Sequence, residues 1–193
     1  MFERIDFTNC AIRAPINEHC NEINGKVVEL LPGDSKTYLS VNRLIAEEER
    51  EALNFPLEFL DRLDLSGSPP HKLTFKEGVI VMLLRNLNVS IGLLNGARFI
   101  VRKLHENCLD LHVISGDKAG ERILLPRIDL SPADSSLPFS FERRQFPICI
   151  AFCMTINRAQ GQTLKRVGIY LPQPVFAMVN YMLHSYELHH TKC

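Results

Sequence analysis

Cys153 to Leu164 reads Cys-Met-Thr-Ile-Asn-Arg-Ala-Gln-Gly-Gln-Thr-Leu. An apolar run, Ile148 to Phe152, leads into it, and a second β-type run, Val167 to Leu171, follows it. Between the two lie a hydroxyl (Thr155), an amide (Asn157), a guanidinium (Arg158), a second amide (Gln160) and a turn glycine (Gly161). The pattern predicts a strand that leaves a sheet and turns into a helix. Polar groups of these types at such a point can hold a nucleic-acid backbone without reading bases. The plainer alternative is an ordinary strand–turn–helix with polar residues at its turn.

Three further segments extend this reading. Ala11 to Asn24 runs Ala-Ile-Arg-Ala-Pro-Ile-Asn-Glu-His-Cys-Asn-Glu-Ile-Asn. Pro69 to Asn88 begins Pro-Pro-His-Lys-Leu-Thr-Phe-Lys-Glu-Gly and ends Leu-Leu-Arg-Asn-Leu-Asn, and Gly92 to Phe99 follows it closely. Arg143-Arg-Gln-Phe-Pro147 comes later. Together with the Cys153 to Leu164 stretch, these resemble, in order and spacing, the second motor lobe of superfamily 1B helicases of the Pif1-like group. There the first pattern is Thr-Ile-His/Asn-Lys-Ser-Gln-Gly, with Arg158 here for Lys and Ala159 for Ser. Ile16 stands where the family has Thr. The long Leu31 to Asp64 connection resembles Helitron-type and plant Pif1-like proteins.

The resemblance implies an α/β fold, a partial RecA-like helicase lobe (2A) interrupted by a small SH3-like β-barrel subdomain (2B). Residues 1–72 would begin lobe 2A and its connection, 73–145 would form the inserted subdomain, and 146–177 would return to the lobe. It implies that Thr155, Asn157, Arg158, Gln160, Gly161 and Asn17 touch DNA or couple it to ATP. It implies single-stranded DNA and an N-terminal motor lobe as partners, with ATP and Mg2+ as cofactors of the intact protein. The chain contains no Gly-rich phosphate loop ending Gly-Lys-Ser/Thr, so no triphosphate cradle is expected on it and no cofactor is expected to bind it alone.

Residues 178–193 read differently from the family, which continues His-Gly-Gln-Leu-Tyr-Val-Ala-Leu-Ser-Arg. Back-translating Met178 to Glu187 and regrouping the bases one nucleotide earlier recovers that sequence except at the penultimate position. Residues 178–193 are therefore expected to be an out-of-frame tail.

The residues also speak without the resemblance. Twenty-two basic side chains balance 22 acidic ones, so no global field draws the chain to nucleic acid. Contact must come from local placement, with Arg143, Arg144, Arg158, Lys165 and Arg166 as candidates against the commoner fate of a solvated surface. Six cysteines show no Cys-x-x-Cys pair, which argues against a metal site or a disulfide framework. Cys149 and Cys153 read as buried reduced thiols, and His189-His190 alone makes no ligand set. With no signal peptide and no apolar span, the expectation is an intracellular protein without a membrane partner, in the nucleus or alternatively the mitochondrion.

Along the chain, Ala11 to Pro15 predicts a short strand, and Asn17 a cap for a helix over 18–30. Thr37 to Val41 reads as a strand, Glu47 to Glu51 as a solvated acidic face, and Phe55 to Leu63 as a short helix. Short β-runs follow at 79–84, 98–104, 109–114 and 121–126, with turns at Asn95-Gly96, Glu106-Asn107 and Ser115 to Asp117, then a loop over 132–138. Arg85 and Asn86 end a buried strand, where a turn hydrogen bond competes with DNA contact. Glycines 78, 92 and 96 read as turn residues. Three functions stay open: a helicase fragment inactive alone, a weak single-stranded DNA-binding module (weak because there is no Trp to stack on bases), and an inert transposon-derived remnant.

Overall fold

A computed structural model describes residues 9–45, 56–63, 67–114, 116, 118–131, 139–156 and 164–172. The acidic run at 47–51, the loop at 132–138, the 178–193 tail and four of the six expected contact residues (Asn157, Arg158, Gln160 and Gly161) lie outside them. Among the described residues, β-strands predominate.

One sheet is parallel, in the order β12-β1-β13. Strand β1 (Cys10–Ala14) lies between β12 (Cys153–Thr155) and β13 (Arg166–Ile169). Ala14 pairs with Thr155, so β1 and β12 finish at the same edge. Pro15 cannot donate to a ladder, and the chain turns there into helix α1 (Asn17–Leu30). Cys20, Asn24 and Val28, four residues apart, form the buried stripe of α1.

The largest sheet is antiparallel, in the order β11-β5-β6-β7-β8. It joins β11 (Ile148–Ile150), β5 (Ile80–Leu83), β6 (Arg98–Leu104), β7 (Cys108–Val113) and β8 (Arg122–Pro126). All four residues of β5 are buried, as suits an apolar run with a strand on either side. Gly96 takes φ 86° at the β5–β6 turn, and Gly78 and Gly92 also have positive φ, the conformation glycine adopts without a Cβ penalty. Phe75, Phe99, Val101, Leu109, Leu111, Phe146 and Ile148 fill the main core. The ladder from β5 to β11 runs across the expected 145/146 boundary, and Ala151 N–H continues it by donating to Ile80 O at 2.9 Å.

Smaller pieces complete the chain. The single strand expected over 37–41 is two strands, because the chain changes partners at Ser40. Strand β2 (Lys36–Leu39) pairs with β4 (Lys72–Phe75), while β3 (Val41–Ile45) pairs with β10 (Ser140–Gln145), which also carries β9 (Ile128–Leu130). Ser40 fixes the switch: its N–H donates to His71 O at 2.8 Å and its hydroxyl meets His71 Nδ1 at 2.8 Å. Helix α2 spans Leu57–Arg62, inside the expected 55–63.

Arg143 is a correction. Expected as a candidate surface contact, it is fully buried. Its guanidinium donates to Leu60 O (2.8 Å), Leu63 O (3.1 Å), Pro69 O (2.9 Å) and Asn42 Oδ1 (3.0 Å). Carbonyls at the end of a helix need donors; Leu60 O takes the N–H of Leu63 at 3.3 Å, and the buried arginine adds a second donor there and one for Leu63 O. Gln145 is buried too: its amide donates to Tyr38 O and His71 O, and its oxygen accepts from Phe146 N–H. The Arg143 to Pro147 segment thus staples loops. Arg144 stays exposed, 3.6 Å from Asp129.

Candidate nucleic-acid interface

A cleft of about 350 Å³ opens where the parallel sheet meets the antiparallel one. Asn17, Asn21 and Asn24 of α1 line one side, Thr155 and Cys153 of β12 another, and Ser68, Lys72 and Thr74 a third. In open sheets with parallel strands, ligands sit outside the carboxyl ends of the strands. Thr155 is the last residue of β12, and Asn17 opens the helix that follows β1. The fold therefore brings together the two expected contact residues that it describes. Lys72 is the charged side chain of the wall among the described residues, and none of the described residues that line it is a carboxylate.

Asn17 differs from expectation in one respect. It is not the cap of α1 but its first helical residue. Ile16 occupies the cap position with extended backbone (φ −128°, ψ 154°) and no side-chain bond to the helix. Isoleucine carries no acceptor for the free N–H groups of the first turn. The side chain of Asn17 is thus exposed and not spent on capping.

Asn24 holds the site's geometry, and the sequence reading gave it no role. Its Oδ1 accepts from Cys153 N–H at 2.7 Å, and its Nδ2 donates to Cys153 O at 2.9 Å and Ile150 O at 3.2 Å. One buried amide thereby ties α1 to β12 two residues before Thr155. The signal was available: Asn24 falls at helical spacing on the apolar stripe with Cys20 and Val28, where a polar residue needs a partner.

Cys20 and Cys153 are buried together beside Ala14. Hydrogen bonding with Cys20, then burial, pushes the Cys153 thiol far above its ordinary range, so it stays protonated and is no nucleophile. Cys149, expected to be buried, is only half-buried, since it lies in β11 at the sheet's edge. Among the described residues no group of His, Cys, Asp and Glu side chains is placed to hold a metal. No helix among them is long and apolar enough to cross a membrane.

Other candidates resolve into local roles. Arg85 donates to Ser131 O, and Asn86 Oδ1 accepts from Asn95 N–H at 2.7 Å, the turn bond that competed with DNA contact. Arg166 is exposed in β13, and Lys165 N–H donates to Asn9 O.

Comparison with known proteins adds the family. Residues 58–104 match the family described as DNA helicase Pif1, 2B domain. The chain is 28% identical over 148 residues to the ATP-dependent DNA helicase PIF1 of Xenopus laevis, covering 77% of this chain and 21% of that protein. It is 34% identical over 130 residues to the human ATP-dependent DNA helicase PIF1, covering 66% of this chain and 19% of that one. The chain thus spans about a fifth of the length of these curated relatives. Among solved structures, Candida albicans Pif1 helicase superposes with a TM-score of 0.61 at 18% identity, over 88% of this chain and 41% of that one. Bacteroides Pif1 bound to single-stranded DNA gives 0.59 at 20% identity, over 86% and 35%.

Proposed function

Because the chain belongs with the Pif1-like DNA helicases, we propose that it is the second motor lobe of an ATP-dependent helicase that moves 5′ to 3′ on single-stranded DNA, and that its task is to grip the DNA backbone. We read the parallel sheet with α1 as part of an α/β, RecA-like lobe 2A, and the five-stranded antiparallel sheet as the SH3-like 2B insertion. The observation that carries the proposal is the meeting of Thr155 and Asn17 at the carboxyl ends of β1 and β12, on a cleft whose described lining holds no carboxylate. A hydroxyl and an amide there can donate to phosphate oxygens, contacts that position a strand without reading its sequence. Asn157, Arg158, Gln160 and Gly161 follow Thr155 directly in the chain and would continue the grip.

ATP and Mg2+ would be held elsewhere in the intact protein. The residues of this chain do not fit a triphosphate: they include no Gly-Lys-Ser/Thr loop, whose backbone N–H groups and lysine form the cradle. A first motor lobe is therefore the partner required for hydrolysis, and this chain alone is inactive as an ATPase. A DNA helicase works where the DNA is, which here means the nucleus or the mitochondrion.

The test is fluorescence anisotropy of a labelled oligothymidylate titrated with this chain. The expected outcome is weak, salt-sensitive binding that ATP with Mg2+ leaves unchanged, and a clear loss on Thr155→Ala. Undiminished binding by Thr155→Ala, or no binding by the parent chain, refutes the proposal.

A further inference from the structure

The cleft does not end at Thr155. It follows α1 from Asn17 to Gly25, eight residues at about 1.5 Å each, or about 12 Å. One strand of a duplex carries a phosphate for about every 3.4 Å of helix axis, so a groove of this length can take more than one. Its far wall is made by Ser68, Pro70, Lys72 and Thr74.

Ser68 is the unusual member. The residue is 8% exposed, and its hydroxyl is buried with no hydrogen-bond partner among the described residues. Buried polar atoms are nearly always paired, and leaving one unmade carries a penalty. The side chain of Lys72, on the same wall, forms no ion pair or hydrogen bond among the described residues and is exposed. Thr74 is already engaged, with its hydroxyl 2.9 Å from that of Thr37. Across the groove, the first turn of α1 leaves its N–H groups without a side-chain cap, and the N-terminus of a helix favours an anion. Glu18 lies in that turn but does not line the cleft.

We infer that the Ser68–Lys72 wall is a second phosphate subsite, which receives the next backbone phosphodiester of a single strand whose first contact is Thr155 and Asn17. This inference rests on the proposed single-stranded DNA site. Lys72 supplies the charge. Ser68 supplies a hydroxyl that reaches a phosphate oxygen by rotation about χ1. The bound strand gives that hydroxyl the acceptor that the free fold does not.

The experiment uses the 193-residue chain and a fluorescein-labelled oligothymidylate, with anisotropy titrations across a range of salt concentrations. Ser68→Ala is expected to weaken binding about three- to tenfold, the worth of one hydrogen bond, while its melting temperature stays equal or rises because an unpartnered hydroxyl is gone. Lys72→Gln is expected to weaken binding and to reduce the slope of log K against log salt by about 0.7, one single-strand phosphate. If Thr155→Ala weakens binding but both of these variants bind like the parent, the second subsite is wrong and the first stands. A Ser68→Ala chain that melts at lower temperature makes the hydroxyl structural and overturns its assignment. If the parent chain does not bind, or Thr155→Ala binds as well as the parent, the underlying site fails first.

Discussion

Replacing Arg143 by leucine should remove a measurable part of the stability of this fold and leave the chemistry of the cleft untouched. Arg143 is fully buried and donates to three carbonyls and one side-chain oxygen. Two of those carbonyls, Leu60 O and Pro69 O, are themselves buried. Leu60 O keeps the N–H of Leu63 at 3.3 Å, so the buried acceptor left orphaned is Pro69 O, at a cost of about 1–3 kcal/mol. Leu63 O and Asn42 Oδ1 are nearer solvent and can turn to water. Leucine avoids burying a charge, which offsets part of the cost. Domains of this size are stable by about 5–15 kcal/mol, so the loss is a measurable fraction of the whole. Urea denaturation followed by circular dichroism measures it, with Arg144→Leu as the control. Arg144 is exposed with an ion pair at 3.6 Å, worth about 0–1 kcal/mol. Equal midpoints for the two variants would refute the reasoning. So would an Arg143→Leu chain of parental stability that has lost DNA binding, since that outcome returns Arg143 to the surface role its charge suggested.

Three other perturbations follow from the same hydrogen-bond map. Asn24→Leu strands the N–H and C=O of Cys153, and should lower stability by roughly 2–4 kcal/mol and weaken oligothymidylate binding through Thr155, both read on one sample. Burial raises the Tyr38 hydroxyl to a pKa of about 12, against about 10 in the unfolded chain. Its contribution is then complete below pH 10 and lost as pH climbs towards 12; Tyr38→Phe should flatten that alkaline slope in denaturation midpoints, at a cost of about 1 kcal/mol for the bond to His105 O. At the acid end, the hydrogen bond from Arg122 holds the Asp110 carboxyl below its usual range. Stability is then present above about pH 4 and is lost as pH falls through the depressed value, and Asp110→Asn should remove that acid dependence.

Much of the fold was legible because its strands obey local rules. The run over 98–104 is a strand at those same residues, and Asn95-Gly96 turns the chain as its φ > 0 requirement demands. The errors came where a side chain's partner is distant in sequence. Arg143 looks like a surface charge in one dimension, yet its carbonyl partners lie 74 to 83 residues away. Asn17 looks like a cap because asparagine often is one, but helix α1 starts at Asn17 itself and leaves the cap position to Ile16. Ser40 carries no pattern that marks a change of sheet; only the competing partners β4 and β10 decide it. Within the site, Thr155 was visible from its strand end. Ser68 was not, because an unmet hydrogen bond is a property of surroundings and not of sequence.

The same logic ties the five-stranded sheet to the cleft. Arg98, in β6 of the antiparallel sheet, is 2% exposed and sends its Nη2 to Cys10 O at 3.0 Å and Ala151 O at 3.3 Å. Cys10 begins β1, and Ala151 lies just before β12. Burial lowers the pKa of this guanidinium, but an arginine starts so high that it keeps its charge. One side chain of the antiparallel sheet therefore anchors the starts of β1 and β12, while Asn24 holds β12 from the helix side. The strands' far ends, Ala14 and Thr155, are then set by register. The five-stranded sheet is thus part of what places Thr155.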